Sequence, residues 1–213
     1  MTAQPLAMSA RSLTGGPRHP SHTSRLRQPW RLETPGRALL VRPARAADLP
    51  GVMGMFVRST ALSRWQWRRT RGGRVPSMSE TAVWLRVPGS LVVLAASSRT
   101  RAPRVVAIAA LDQVVCAGGP AEHLAQAEVL VADPWQGRGL GRALVAHLAA
   151  ASWLTGRREL MASEHADEDT AVRLLGPLGP MHHGRHPHGS HARVHLTADA
   201  VAGLGPLRTA ALL

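Results

Sequence analysis

The sequence predicts an α/β fold in a single domain, with a largely antiparallel central sheet flanked by helices. The chain has 213 residues, 45% of them hydrophobic, which is enough to bury one core of ordinary size. Helical spacing of apolar residues dominates before residue 86, whereas β-branched runs dominate between residues 91 and 115. A strand, a glycine-rich turn and an amphipathic helix then follow one another between Ala127 and Trp153.

The two ends of the chain lack the periodicity of the middle. Residues 1–37 are rich in proline and arginine and contain a single acid, Glu33. We therefore expect a disordered basic arm over 1–37, a folded domain over 38–197 and a C-terminal tail over 198–213. The apolar runs are too short to span a bilayer and the N-terminus lacks a secretory pattern, so a soluble cytoplasmic protein without membrane contact is expected.

Helical signals dominate the first half of the domain. After a short predicted strand at Ala38–Arg42, the apolar spacing predicts a helix over 48–58 with Asp48 as its N-cap. Residues 62–71 are predicted to be helical until a pair of glycines. The spacing Ser77-Met-Ser-Glu80 is that of a capping box, which predicts a further helix through Leu85.

Strand signals follow. The runs Leu91–Ser97 and Arg104–Val115 are separated by a turn-rich segment and predict a hairpin, and Ala127–Ala132 predicts a third strand. A long helix is predicted over Leu140–Trp153, with leucines at helical spacing. The remaining predicted elements are a strand at Glu159–Ser163, a helix at Asp169–Leu175, and a closing strand at Val194–Leu196 that pairs with the His-rich segment before it.

The charge and the single cysteine exclude some classes of protein. All 26 basic residues are arginine, against 13 acids, which gives a formal net charge of +13. The complete exclusion of lysine indicates coding bias, so the charge permits binding to nucleic acid, anionic membranes or phosphate ligands without selecting one. With Cys116 alone, an intramolecular disulfide and a cysteine-rich zinc site are excluded.

The glycine-rich turn is the most informative motif. Gly137, Gly139 and Gly141 permit a sharp turn, and the helix that follows adds unpaired N–H donors and a partial positive charge. Together with Arg138 and Arg142, these groups predict a phosphate site. A Walker A loop needs lysine, and the glycine spacing does not match the dinucleotide fingerprint.

The segment Gln136-Gly-Arg-Gly-Leu-Gly141 resembles the Q/R-x-x-G-x-G/A motif of the GCN5-related N-acetyltransferases (GNATs), and the similarity extends over residues 38–197. Met55–Arg69 also resembles the acetyltransferase domain of bacterial protein-lysine acetyltransferases. The resemblance implies acetyl-CoA as the acyl donor, a cytoplasmic enzyme, and transfer to a primary amine of a lysine side chain, a protein N-terminus or a small molecule. The cofactor-binding residues that it implies are Val129, Leu130, Val131, Gln136, Gly137, Arg138, Gly139, Leu140, Gly141 and Arg142.

The resemblance also implies how the reaction would proceed. Backbone N–H groups of Val129 to Val131 would contact the thioester carbonyl, and Glu128 would be the general base that deprotonates the amine. The alternative is that Glu128 only pairs with an arginine. The tyrosine that many relatives use as general acid is absent, Glu168 stands nearest to the position of a common asparagine, and the substitutes considered are Ser163, His165 and Cys116.

Two further clusters leave alternatives open. One is a basic patch with interleaved tryptophans, which would recognise an acidic acceptor, the CoA 3′-phosphate or nucleic acid, or would simply be a solvated helix. The other is a His-rich hairpin that we interpret as exposed, without a defined metal site. A catalytically silent acyl-CoA-binding module is the alternative to an enzyme, and a nucleic-acid-binding protein is a less favoured one. The patch comprises Arg58, Arg64, Trp65, Trp67, Arg68, Arg69, Arg71 and Arg74, and the hairpin His182, His183, His186, His188 and His191.

Overall fold

A computed structural model describes residues 28–34, 37–67, 73–87, 90–95, 103–116, 119–162, 167–186 and 189–203. The strands are β1 (Trp30–Thr34), β2 (Arg37–Pro43), β3 (Leu91–Ala95), β4 (Arg104–Cys116), β5 (Gly119–Val131), β6 (Glu159–Ala162), β7 (Met181–His186) and β8 (Gly189–His195). The helices are α1 (Leu49–Arg58), α2 (Ala61–Trp65), α3 (Met78–Leu85), α4 (Leu140–Leu154), α5 (Glu168–Leu175) and α6 (Ala198–Gly203).

The strands form one sheet in the order β1-β2-β3-β4-β5-β6-β8-β7. Neighbouring strands are antiparallel except β5 and β6, which are parallel and are joined by α4. A parallel pair requires such a crossover connection. The antiparallel pairs β1–β2, β3–β4, β4–β5 and β7–β8 are joined by short links, whereas α1, α2 and α3 lie between β2 and β3. The predicted α/β class with a mostly antiparallel sheet is confirmed.

Helices cover both faces of this sheet, because alternate side chains of the central strands point to opposite sides. On one face, Ala107 and Ala109 of β4 belong to a core that includes Leu144 and Leu148 of α4. On the other face, Ile108 and Ala110 belong to a second core with residues of α1 and α3. Phe56, Trp67 and Trp84 pack together in that second core, with ring centroids 4.8 and 5.6 Å apart, and supply the bulk that a chain without tyrosine needs.

Most of the predicted elements are present with small shifts of boundary. The hairpin of β3 and β4, the long helix α4, the strand β6 and the hairpin of β7 and β8 are confirmed. The capping box before α3 is also confirmed, since the Ser77 hydroxyl accepts from the Glu80 N–H and the Glu80 carboxylate accepts from the Ser77 N–H. The predicted strand at Ala127–Ala132 is the end of a much longer strand, β5.

Other expectations are corrected. The prediction of disorder over 1–37 is wrong for Trp30–Thr34, which forms β1 and pairs with β2 along its whole length; residues 1–27, 35 and 36 lie outside the described residues. The predicted tail begins with α6, and residues 204–213 lie outside the described residues. Of the helix predicted over 62–71, the structure has α2 at Ala61–Trp65, and residues 68–72 are not among those described.

Asp48 precedes α1 as predicted, but its side chain does not cap the helix. Its carboxylate accepts hydrogen bonds from the Arg45 N–H at 2.8 Å and from both terminal nitrogens of Arg42 at 2.7 and 2.5 Å. The Asp48 carboxylate therefore bonds to Arg42 and does not cap α1, because a bidentate charged pair is stronger than a hydrogen bond to a backbone N–H of the helix. No helix in the described part of the chain is long and apolar enough to cross a bilayer.

Candidate functional site

The glycine-rich turn connects the end of β5 to the start of α4. A short 3₁₀ turn at Asp133–Trp135 comes first, and Gly137 and Gly139 then adopt left-handed backbone angles, with φ of +71° and +82°. Gly139 is the N-cap of α4. A methyl group built on either glycine would meet no heavy atom within 4 Å among the described residues, so the turn borders open space.

The first turn of α4 presents backbone donors to this space. The Ala143 N–H bonds to the Gly139 carbonyl at 3.0 Å, so the N–H groups of Leu140, Gly141 and Arg142 precede the first intrahelical bond. Arg142 is exposed there, and the Arg138 guanidinium lies 5.3 Å from the ring centroid of Trp135. This geometry is one that could hold an anion at a helix N-terminus, and the phosphate site stays a prediction.

The edge of β5 that faces β6 opens beside the turn. Among the described residues, pairing with β6 ends at Ala127, opposite Ala162, whereas pairing with β4 continues to Val131. Residues 163–166, which follow β6, lie outside the described residues. The Ala132 N–H bonds to the Val106 carbonyl of β4, so by alternation Leu130 also points its N–H at β4, while Val129 and Val131 point theirs at the opened edge. The predicted carbonyl contact is thus geometrically available from Val129 and Val131 but not from Leu130, whose side chain is also buried.

The side-chain nitrogen of Gln136 bonds back to β5 and α2, although the residue itself is exposed. Its side-chain Nε2 donates to the Val131 carbonyl at 3.0 Å, to Ser63 Oγ at 3.1 Å and to Asp133 Oδ1 at 3.2 Å. The Gln136 side chain therefore holds the turn against the end of β5. The side-chain nitrogen is thus engaged within the chain, and a contact of Gln136 with a cofactor stays a prediction.

Asp133 is a site residue that the sequence analysis missed. Its carboxylate accepts a hydrogen bond from the Thr60 N–H at 2.7 Å and a short one from the Ser63 hydroxyl, both at the start of α2. Thr60 before α2 was visible as a potential cap, and its hydroxyl does accept from the Ser63 N–H. The link to Asp133 was not visible, because the partners are 70 or more residues apart in the sequence.

A groove of about 620 Å³ lies beside the turn, between α2 and α5. Gln66 of α2 donates across it to Asp167 Oδ2 at 3.2 Å. Asp167 also caps α5 by accepting from the Thr170 N–H, and the hydrogen bonds from the backbone and side chain of Thr170 lower the pKa of the Asp167 carboxyl. The groove is lined by Leu62, Ser63, Gln66, Gln136, Asp167, Asp169, Thr170, Val172 and Arg173.

Glu128 lies on β5, opposite Ala110 of β4 and on the face of the sheet that packs against α1 and α3. Its side chain has no exposed surface. It does not line the groove. A proton could therefore reach this carboxylate only through an intervening water or after movement of neighbouring side chains.

Two of the described arginines of the predicted basic patch, Arg64 and Arg74, are engaged in contacts within the chain. The Arg64 guanidinium donates to the carbonyls of Phe56, Ser59 and Gly73, and so ties α2 to the end of α1. Arg74 pairs with Glu80. At the end of α1, burial and the charge of Arg104 lower the pKa of Arg58.

The tryptophans of this patch differ in exposure. Trp67 is buried in the second core and cannot stack on a base, whereas Trp65 is 47% exposed. Residues 68, 69 and 71, which complete the predicted patch, lie outside the described residues. The interpretation as a nucleic-acid surface therefore loses the part of its support that came from Trp67, Arg64 and Arg74.

The remaining predicted residues belong to the His-rich hairpin or are the substitutes for the missing general acid. His182 and His183 are exposed on β7, and His183 Nδ1 lies 3.5 Å from Glu168 Oε1. His186 and His191 lie on the strands of the hairpin, and His188 is outside the described residues, as are Ser163 and His165. Cys116 ends β4. Within the described ranges, no three His, Cys, Asp or Glu side chains are grouped so as to hold a metal ion.

Comparison with known proteins identifies the architecture. No protein-family model and no curated protein sequence matches the chain. Among solved structures, the GNAT domain of PAT from S. lividans is 19% identical, covers 84% of this chain and 99% of its own, and has a TM-score of 0.62. A phosphinothricin acetyltransferase of the GNAT superfamily from Sinorhizobium meliloti, solved with acetyl-CoA, is 21% identical over 73% of this chain and 87% of its own, with a TM-score of 0.52.

A third solved structure agrees with these two. The protein yncA from Salmonella typhimurium, solved with its cofactor acetyl-CoA, is 18% identical over 75% of this chain and 95% of its own, with a TM-score of 0.52. All three likenesses extend over most of both chains, so they concern the whole domain and not the glycine motif alone. The chain therefore has the GNAT fold that its glycine motif predicts.

Proposed function

We propose that the protein is an N-acetyltransferase that transfers the acetyl group of acetyl-CoA to a primary amine. The observation that carries the proposal is the opened edge of β5 directly beside the glycine-rich turn. Acetyl-CoA carries a pyrophosphate in its middle and a thioester at one end. The turn offers N–H donors suited to the pyrophosphate, and the edge of β5 offers N–H donors suited to the thioester carbonyl. Two proteins with the same fold were solved with acetyl-CoA, which supports the same donor here.

In this proposal the pyrophosphate lies at the turn. The N–H groups of Gly137 to Arg142 donate to its oxygens, with charge-assisted contacts from Arg138 and Arg142. Gln136 contributes its position and not its side-chain amide, since the amide is engaged with Val131, Ser63 and Asp133. Leu140 likewise contributes only its backbone, since its side chain is buried in the core.

The chemistry is a direct transfer. The neutral amine nitrogen attacks the thioester carbonyl carbon, the carbon–sulfur bond breaks, and CoA leaves as a thiolate. The nitrogen loses its second proton to the thiolate sulfur or to water, which leaves the amide and free CoA. The N–H groups of Val129 and Val131 stabilise the negative charge that develops on the carbonyl oxygen. A thiolate is a stable leaving group near neutral pH, because free thiols have pKa values of about 8.5, so the reaction does not require the missing tyrosine.

Glu128 is proposed as the general base. It takes the ammonium proton through a bridging water, because the carboxylate itself has no exposed surface. The acceptor is proposed to be a lysine side chain, a protein N-terminus or a small amine. Because Arg64 and Arg74 already bond within the chain, these two arginines no longer favour an acidic acceptor.

Donor binding is tested first, by calorimetric titration of the untagged protein with acetyl-CoA and with CoA. We expect one cofactor per chain, and at least tenfold weaker binding for Gly139→Glu, which introduces a carboxylate where the phosphate would lie, and for Arg142→Ala. Arg86→Ala, an exposed arginine at the end of α3, is the matched control and should bind as the wild type does. Absence of binding by the wild type would refute the proposal.

Catalysis is tested with Glu128→Gln in an acceptor screen. A general base contributes about 10²–10⁴-fold to rate, so kcat should fall by that factor while the Kd for acetyl-CoA stays unchanged. Unchanged transfer by Glu128→Gln would show that another group removes the proton. If a broad amine screen gives no transfer but acetyl-CoA binds, the protein is a silent acyl-CoA-binding module, a second candidate that the complete burial of Glu128 favours.

A further inference from the structure

Asp133 occupies the point where three parts of the site meet. It follows β5, opens the 3₁₀ turn that leads into the glycines, and contacts the start of α2. Its Oδ2 accepts from the Thr60 N–H at 2.7 Å, and its Oδ1 accepts from Ser63 Oγ and, at 3.2 Å, from Gln136 Nε2. One carboxylate thus joins the groove wall to the turn.

The helix that it contacts is short. α2 has five residues, far fewer than the roughly 12–15 that an isolated helix needs to persist in water. Contacts with other parts of the chain help to hold it. Among them are the carboxylate of Asp133 at its N-terminus, where a negative charge is favourable, and the Arg64 guanidinium, which bonds to carbonyls of Phe56, Ser59 and Gly73. Without Asp133, the N-terminal end of α2 would lose the partner of the Thr60 N–H.

The opposite end of the network reaches the strand edge. Gln136 Nε2 bonds both to Ser63 Oγ and to the carbonyl of Val131, the residue whose N–H points at the opened edge of β5. A continuous chain of hydrogen bonds therefore runs from α2 through Ser63, Asp133 and Gln136 to Val131. Since α2 supplies Leu62, Ser63 and Gln66 to the groove, the same chain connects the groove wall to the turn.

We propose that Asp133 is a positioning residue that couples α2 to the glycine-rich turn, so that the groove wall and the phosphate-binding turn keep one fixed arrangement. Asp133 itself does not contact the donor; it acts through Ser63, Thr60 and Gln136. The inference rests on the proposed function in one respect, namely that the groove and the turn hold acetyl-CoA. The coupling between α2 and the turn is independent of that identification.

The experiment combines hydrogen exchange of the full chain with acetyl-CoA titration. For Asp133→Asn we expect faster amide exchange in a peptide spanning residues 60–66, unchanged exchange in β4, and about tenfold weaker acetyl-CoA binding, the loss typical of a charge-assisted contact. Asp199→Asn, the same substitution at an exposed position of α6, is the control and should change neither quantity. Faster exchange of α2 with unchanged affinity, or weaker affinity with unchanged exchange, would overturn the proposal.

A second pair of variants covers the case in which Asp133→Asn unfolds, which faster exchange in β4 would reveal. Ser63→Ala removes the hydroxyl that joins α2 to both Asp133 and Gln136, and Ser63→Thr restores it. We expect weaker binding and faster α2 exchange for Ser63→Ala and a return toward wild-type values for Ser63→Thr, which restores the hydroxyl. Equal values for the two variants would overturn the proposal.

Failure of the proposed function gives a different result. If wild-type protein does not bind acetyl-CoA, the coupling is decided by Gln136→Ala, which alters the turn without touching the backbone of α2. Faster exchange over residues 60–66 in that variant would support the coupling in a site with another ligand. Unchanged exchange would refute it.

Discussion

The ion pair between Arg42 and Asp48 should be one of the most sensitive points of the fold. Both side chains are mostly enclosed, with 14% and 8% of their surfaces exposed. The carboxylate receives two hydrogen bonds from Arg42 and one from the Arg45 N–H, and it joins β2 to the start of α1. The perturbation to make is Asp48→Ala.

The size of the effect follows from what the substitution leaves behind. Among the described residues, Arg42 would keep its hydrogen bond to the Pro43 carbonyl, at 2.9 Å, and would remain largely enclosed without the Asp48 counter-charge. Removing one partner of a buried pair costs about 3–5 kcal/mol. Because Arg42 retains one acceptor and some exposure, we expect the lower end, about 3 kcal/mol, or roughly 6–12 °C in Tm for a domain of this size.

Urea denaturation followed by tryptophan fluorescence measures this change, since Trp67 and Trp84 are buried in the second core. Arg74→Met serves as the comparison, because it breaks a pair of similar geometry with Glu80 whose partners are 49% and 43% exposed. The loss of stability in Arg74→Met should be much smaller than in Asp48→Ala, since water already solvates both Arg74 and Glu80. A loss below about 1 kcal/mol for Asp48→Ala would refute the reasoning, because it would mean that Arg42 finds solvent or another acceptor.

The same pair predicts a dependence on pH. Burial alone would raise the pKa of Asp48, but hydrogen bonds and charge from Arg42, with the Arg45 N–H, outweigh it and lower that pKa below the ordinary value. The stabilisation is therefore complete above the ordinary carboxyl pKa and is lost as the pH falls through the lowered one. Wild type should lose stability below about pH 4 more steeply than Asp48→Asn, and the two curves should approach each other in acid.

The remaining predictions concern backbone geometry and the anchoring of α2. Gly139→Ala should destabilise by about 1–2 kcal/mol through its left-handed backbone alone, since its new methyl group meets no neighbour, and should weaken acetyl-CoA binding in the calorimeter. Gly179→Ala should cost more, about 3 kcal/mol by urea denaturation, because its methyl group would lie 2.5 Å from the His195 carbonyl oxygen. Arg64→Met should speed hydrogen exchange in residues 60–66 by removing the bonds to the carbonyls beyond both ends of α2; unchanged exchange would contradict that role.

Local signals in the sequence were sufficient for much of the fold. The capping box at Ser77 and Glu80 and the leucines of α4 depend on neighbours within one or two turns, so their patterns survive in the sequence. The glycine-rich turn was predicted for the same reason, since its left-handed residues are glycines.

Features that depend on distant partners were not predictable. β1 does alternate Trp30, Leu32 and Thr34 with polar residues, but the surrounding prolines and arginines outweighed that signal, and its pairing is with β2. The contact of Asp133 with Thr60 joins residues 73 apart, and nothing in either neighbourhood encodes it. The exclusion of Leu130 from the open edge follows from the register of β5 against β4, which a single strand pattern does not determine.

The position of β1 has a consequence for how the chain could be shortened. β1 is the outermost strand beside β2, and it occupies the backbone edge of β2 while Trp30 covers the adjoining core. A chain cut at residue 38, where the globular pattern begins in the sequence, would leave β2 as an uncovered edge whose Leu39 and Val41 belong to the apolar core. Such an edge pairs readily with other chains. The protein cut at residue 38 would therefore tend to self-associate through its sheet, whereas a protein that begins before Trp30 would keep β1 paired with β2.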